Sequence, residues 1–177
     1  MTASLRSIVR CSFVFALLNL FLVNPSFAQM VPGVARSVDL AGPRFGLSLL
    51  SEGVVEDLAK RDIVVRPNIT QFGWQLERQF FTRDSGATMV TEWVALLGGL
   101  EQNVALPSLS WLVGMRTRDG AEFGIGPNIT PAGTAMVFAA GMTFRTGAAN
   151  IPVNVAVVPS RAGTRVTLVT GFSLRRR

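Results

Sequence analysis

The sequence predicts an all-β fold: a closed antiparallel eight-stranded up-and-down β-barrel, with one short helix in its first long connection. Three observations carry that expectation. Residues 69–83, ITQFGWQLERQFFTR, alternate with a period of two, as a β-strand does when its faces meet different surroundings. One face is large and apolar (Phe72, Trp74, Leu76, Phe80), while the other is amide, carboxylate and glycine (Gln71, Gly73, Gln75, Glu77, Gln79). The same pattern recurs in eight segments whose connections alternate in length: those after the odd-numbered segments run from long to short, and those after the even-numbered ones are tight.

The first thirty residues stand apart. Arg6 and Arg10 precede an apolar run from Cys11 to Val23, followed by Asn24-Pro25 and the small-residue exit Ser26-Phe27-Ala28. This is the layout of a secretory signal peptide, and the run falls short of the roughly 20 residues of a transmembrane helix. Residues 1–28 are therefore expected to be a signal peptide and residues 29–177 a single barrel domain. That domain has neither cysteine nor histidine. Disulfides, thiolate chemistry, Cys/His zinc sites and histidine-based triads are thereby excluded, and no metal or other cofactor is expected. Removing Arg6 and Arg10 lowers the formal charge from +6 to +4, and the remaining arginines are scattered except for Arg175-Arg176-Arg177. A short basic end of that kind is a solvated tail, and no nucleic-acid partner is expected.

The strands follow in order. Residues 39–50 place Phe45, Leu47 and Leu49 opposite Arg44, Gly46 and Ser48. Residues 51–67 form the longest interruption, in which Val54, Val55 and Leu58 line one side of a short helix that ends before Pro67. The second strand is 69–83, closed by the turn Arg83-Asp84-Ser85-Gly86. The third, 88–97, sets Met89, Thr91, Trp93, Ala95 and Leu97 against Val90, Glu92, Val94 and Leu96. A loop at 98–107 leads to the fourth, 108–117, with Leu109, Trp111, Val113 and Met115 against Ser110, Leu112, Gly114 and Arg116. Arg118-Asp119-Gly120 is a hairpin signal. The fifth strand, 121–129, sets Phe123 and Ile125 against Glu122, Gly124, Gly126 and Asn128, and Pro127 and Pro131 bracket the next connection. The sixth, 133–146, carries Met136, Phe138, Met142 and Phe144 on one face and Arg145 on the other. After a turn at Gly147 and Asn150, the seventh shows Ile151, Val153, Val155 and Val157 against Pro152, Asn154 and Ala156. Residues 160–163 turn again, and the eighth strand, 164–175, closes the set with Val166, Leu168 and Phe172 opposite Arg165, Thr167 and Gly171. The tetrapeptide Pro-Asn-Ile-Thr occurs at 67–70 and again at 127–130, where both copies would fall at the loop-side rim.

Bulk decides which face points outward. An eight-stranded barrel is just wide enough for side chains to fill it. A face carrying three tryptophans and most of the phenylalanines would crowd that bore, whereas glycine, alanine and serine would pack it. Trp74, Trp93, Trp111 and Phe138 are therefore expected to face lipid. The inward face then carries Arg44, Arg116 and Arg145 with Glu77, Glu92 and Glu122, three of each sign, mostly toward the tight-turn end. Buried charges must be paired, so the six are expected to form an ionic plug rather than an open pore.

With a signal peptide, eight alternating strands and a charged lumen, the chain resembles the small outer-membrane barrels of the OmpA/OmpX type over about residues 39 to 175. The resemblance is architectural. It implies an outer-membrane protein of structural or interaction type, with membrane lipid as its surroundings, a monomeric state, and the 51–67 loop available to an extracellular partner. The alternative is a soluble periplasmic, lipocalin-like barrel whose Trp74, Trp93 and Trp111 line a cavity for an apolar ligand. An enzyme is not expected: a lipid hydrolase would lack a histidine base, and no Gly-x-Ser-x-Gly elbow is present.

Overall fold

The structure is a computed structural model and describes residues 40–82, 87–146 and 149–174. The signal peptide expected at 1–28, the turn at 83–86 and the arginines at 175–177 lie outside these residues. The elements run β1 (Gly42–Leu50), α1 (Glu52–Ala59), β2 (Asn68–Thr82), β3 (Thr88–Gly98), a 3-10 turn (Leu100–Gln102), β4 (Leu106–Arg116), β5 (Ala121–Thr130), β6 (Gly133–Thr146), β7 (Ala149–Ser160), β8 (Gly163–Gly171) and a two-residue β9 (Ser173–Leu174). Each strand pairs antiparallel with its neighbour in sequence, and β1 also pairs with β8, as in Leu47↔Leu168. The sheet is thus a closed eight-stranded barrel. β9 belongs to the eighth stave: after a break at Phe172 it resumes pairing with β7 at Asn150↔Ser173.

Alternation sets the two surfaces. In β1, Arg44 and Ser48 are buried while Phe45, Leu47 and Leu49 are exposed; in β2, Gln71 and Gln75 are buried while Phe72, Trp74 and Leu76 are exposed. The same parity holds around the barrel: the polar, charged and small strand residues lie inside with a minority of apolar ones, and most of the large apolar groups lie outside. One bulge interrupts it. Gln79 pairs with Val90 and Phe81 with Met89, so Phe80 is an extra residue and both phenylalanines are exposed. The bulge returns Thr82 to the inner side, 3.2 Å from Thr88 (Oγ1 to Oγ1). Between β4 and β5 the pairs stop at Ser110↔Asn128 and resume at Val113↔Ile125. Pro127 has no N–H to give there, and Gly126 lets the strands stay close, since a Cβ would run into the Trp111 carbonyl.

The expected helix is present, and its Val54 and Leu58 are buried at one end of the barrel against Leu50, Val65, Ile69 and Leu106. Leu50, Ile69 and Leu106 are the inward residues at that end of β1, β2 and β4, so α1 caps the mouth with apolar side chains. Ser51 ties the helix to β8: its N–H donates to Thr164 O at 3.0 Å, and its Oγ accepts from the Thr164 N–H at 3.0 Å. The chain leaves α1 through Asp62 in the left-handed region (φ 62°), with the Ile63 N–H closing back on Leu58 O at 3.0 Å.

The connections after the odd-numbered strands shorten along the chain, from 51–67 and 99–105 to two residues each at 131–132 and 161–162. Pro127, expected both within the fifth strand and beside the connection after it, lies inside β5. One expectation is corrected outright: Asn150 lies inside β7 rather than in a turn. The two Pro-Asn-Ile-Thr copies share no role, for Ile69 points inward and is buried while Ile129 points outward and is exposed. The hairpin at 117–120 matches its sequence signal. Thr117 N–H bonds Ala121 O at 2.8 Å, Gly120 N–H bonds Thr117 O at 3.1 Å, and Gly120 takes the positive φ (92°) that the turn requires.

Candidate functional site

The lumen near the tight-turn end is organised by Arg116, the last residue of β4, which is 4 % exposed. Its cross-strand partner is Glu122, just beyond the hairpin, and its Nε donates to Glu122 Oε1 at 3.0 Å. Glu77 and Glu92 are directly opposite each other on β2 and β3, a like-charge pairing that needs a cation beside it. Arg116 supplies the cation. Nη1 donates to Glu77 Oε1 at 2.7 Å and Nη2 to Glu77 Oε2, a fork-on pair, while Glu92 Oε1 lies 3.8 Å from Nη2. Glu122 Oε1 also accepts from the Thr143 hydroxyl and Oε2 from Asn154 Nδ2 at 3.4 Å, and Gln79 Nε2 donates to Glu77 Oε1 at 3.2 Å. Four of the six expected residues therefore come together: one arginine and three glutamates.

The other two do not. Arg44, 1 % exposed, makes no ion pair among the described residues. Its Nε donates to Gln75 Oε1 at 2.9 Å, and its Nη atoms donate to backbone carbonyls of Pro43 (2.9 Å), Phe172 (3.5 Å) and Leu40. It stitches backbone at the β1–β8 seam, where the break at Phe172 leaves a carbonyl to be satisfied. Arg145 is exposed, its Nη2 donating to Arg118 O at 3.2 Å. The parity that puts it inward runs on past the end of the bore. In exchange, Arg165 on β8 points inward and donates to Asn128 Oδ1, whose Nδ2 donates to Ser108 Oγ (2.9 Å) and Ser110 Oγ (2.8 Å). The alternation of β8, with Val166 outward, is the signal that places Arg165 on the inward face.

Between the two ends the bore is packed. Ser48 Oγ donates to Gln71 Oε1 at 3.0 Å and lies 2.6 Å from Thr167 Oγ1, while Leu112, Val137 and Val158 form an apolar layer. Among the described residues, a cavity beneath α1 measures about 20 Å³ and one between Glu92, Glu122 and the outer Met115 and Phe123 about 10 Å³, room for a water at most.

On the outer face, Trp74, Trp93, Trp111 and Phe138 are 53, 39, 43 and 43 % exposed, so the tryptophans line no internal cavity of the kind a lipocalin-like carrier would need. Trp93 and Trp111 stack at 5.8 Å between ring centroids. The Trp111 indole N–H is not left open. It donates to Thr91 Oγ1 at 2.8 Å, and that hydroxyl donates to Leu112 O at 3.2 Å. Comparison with protein-family models, curated proteins and solved structures gives no significant match to this chain.

Proposed function

We propose that the chain is an integral β-barrel of the outer-membrane type, structural or interactive in role, with an ion-paired lumen closed to solutes. One observation supports this reading above the rest: the barrel wall is apolar outside, while its polar and charged strand residues are gathered inside. Among the described residues, twenty-seven large apolar side chains are exposed and twelve are buried as core, the reverse of a water-soluble domain. Contiguous apolar surface beyond a few hundred Å² is rare on soluble monomers, and hydrocarbon is the solvent that suits it. Closure agrees with the reading, because a ring of paired strands offers no unbonded edge to a bilayer. The lumen is blocked twice, by the Arg116 cluster near one end and by α1 at the other. In this reading the barrel is a monomer surrounded by outer-membrane lipid, and the 51–67 connection is the surface that meets an extracellular partner.

Cell fractionation and vesicle flotation test the address: the protein is expected with the outer membrane and in the floating layer, and recovery in the soluble periplasm would refute it. Planar bilayers test the lumen. No steady conductance is expected, whereas large stable single-channel steps would make the protein a pore.

A further inference from the structure

The charges of the described residues are divided unevenly over the barrel. Inside, Arg44, Arg116 and Arg165 balance Glu77, Glu92 and Glu122. At the α1 end, Lys60, Arg61, Arg66 and Arg161 stand against Glu52, Glu56, Asp57, Asp62 and Glu101, one negative charge in excess. At the opposite end, Arg78, Arg118 and Arg145, all exposed, stand against Asp119 alone. Arg78 is the most telling of these. Of the outward-facing strand positions described, it is the one that carries a charge, and among the described residues no hydrogen bond or ion pair holds its side chain. A cation on the lipid face costs about 2–4 kcal/mol at the midplane and little at the headgroup level. Arg78 therefore marks the headgroup level, four residues short of the end of β2, where its long side chain reaches outward from the apolar wall. The exposed Phe80, Phe81, Phe123 and Phe144 stand near the same end of their strands, as an aromatic girdle does.

We infer that Arg78, Arg118 and Arg145 form a collar that binds the phosphates of anionic phospholipids in the leaflet around the tight-turn end. The inference rests on the membrane reading above and adds to it a lipid class and a side of the bilayer. Guanidinium groups suit phosphate oxygens because their planar fork donates two parallel hydrogen bonds. The collar spans β2, the β4–β5 turn and β6, so it grips several lipids around the wall rather than one in a pocket.

The test uses the full mature chain refolded into vesicles of phosphatidylcholine mixed with phosphatidylglycerol, with folding of every variant checked by heat-modifiable gel mobility. After gentle extraction, native mass spectrometry reads the lipid retained on the barrel. Wild type is expected to retain phosphatidylglycerol above its bulk ratio, and less of it as salt rises. Each of Arg78→Gln, Arg118→Gln and Arg145→Gln should cut that preference by about fivefold. Lys60→Gln with Arg161→Gln, at the other end, should leave it unchanged. Because the three single variants alter exposed side chains and are read separately, a fold defect in one leaves two measurements. Flotation with no preference for phosphatidylglycerol, or a preference that the collar variants keep, would overturn the collar alone. Failure to float with vesicles of either composition would overturn the membrane reading as well.

Discussion

Around Arg116, three carboxylates compete for one guanidinium, and geometry ranks them. Glu77 takes both Nη donors and Glu122 takes Nε, while Glu92 stands 3.8 Å off and faces Glu77 across the ladder. Glu77→Gln should therefore cost about 3–5 kcal/mol, the scale of a broken buried pair. Glu92→Gln should cost a small fraction of that, since it removes a like-charge neighbour along with a distant partner; urea unfolding of the refolded barrel compares the two. On the outer face, the Thr91 hydroxyl satisfies the Trp111 indole. Thr91→Val leaves that N–H unpaired, which in hydrocarbon should cost about 1–3 kcal/mol. Adding Trp111→Phe should recover most of the loss, whereas an indole exposed to water would lose little in the first place, so a double-mutant cycle also reports the solvent at that site. Parity alone brought Glu77, Glu92, Glu122 and Arg116 to one face. Parity could not say where the bore ends, which moves Arg145 outside, nor that a break at Phe172 gives Arg44 carbonyls to bind in place of carboxylates.

The connections hold less of themselves in the sequence than the strands do. The helix was legible because Val54 and Leu58 recur at its period, and both reach the core. The turn at 160–163 was legible in its residues, whereas the two-residue link at 131–132 was hidden because Pro127 stands inside β5 just as Pro131 stands in the link. The connection 99–105 is held down by side chains whose partners are remote in sequence. Glu101 accepts the Thr70 N–H at 2.9 Å and the Thr70 hydroxyl at 2.7 Å, and Gln102 Nε2 reaches Asn68 O at 2.7 Å. The bonds from the Thr70 side chain, and then its backbone, hold the Glu101 carboxyl down to about 2. A depressed folded value means that the stabilisation is fully present above the ordinary carboxylate range near 4.3 and is lost as pH falls through about 2. Protection of the Thr70 amide, the slowing of its exchange relative to an unstructured peptide at the same pH, should thus hold at neutral pH and fall in that acid window. Glu101→Gln should remove most of the pH dependence.

At the scale of the whole barrel, the apolar belt is its assembly requirement. Leu168→Arg places a cation on the outer wall and should block insertion, at about 2–4 kcal/mol near the midplane; the inward Val169→Ala should still float with vesicles. The eight seams are not alike in time. Seven join strands that are neighbours along the chain and can zip from their own connections. The eighth brings Leu47 to Leu168, across almost the whole barrel sequence, and its entropy must be met before any of its bonds form. Closure should be the last event in folding, with pulse-labelled amides of the β1–β8 pairs protected after those of the hairpins. Arg44 reaches across that seam to the Phe172 carbonyl. It acts as a latch on a hoop: with Arg44→Met the hairpins should form at their usual rate, while the ring closes late and reopens early.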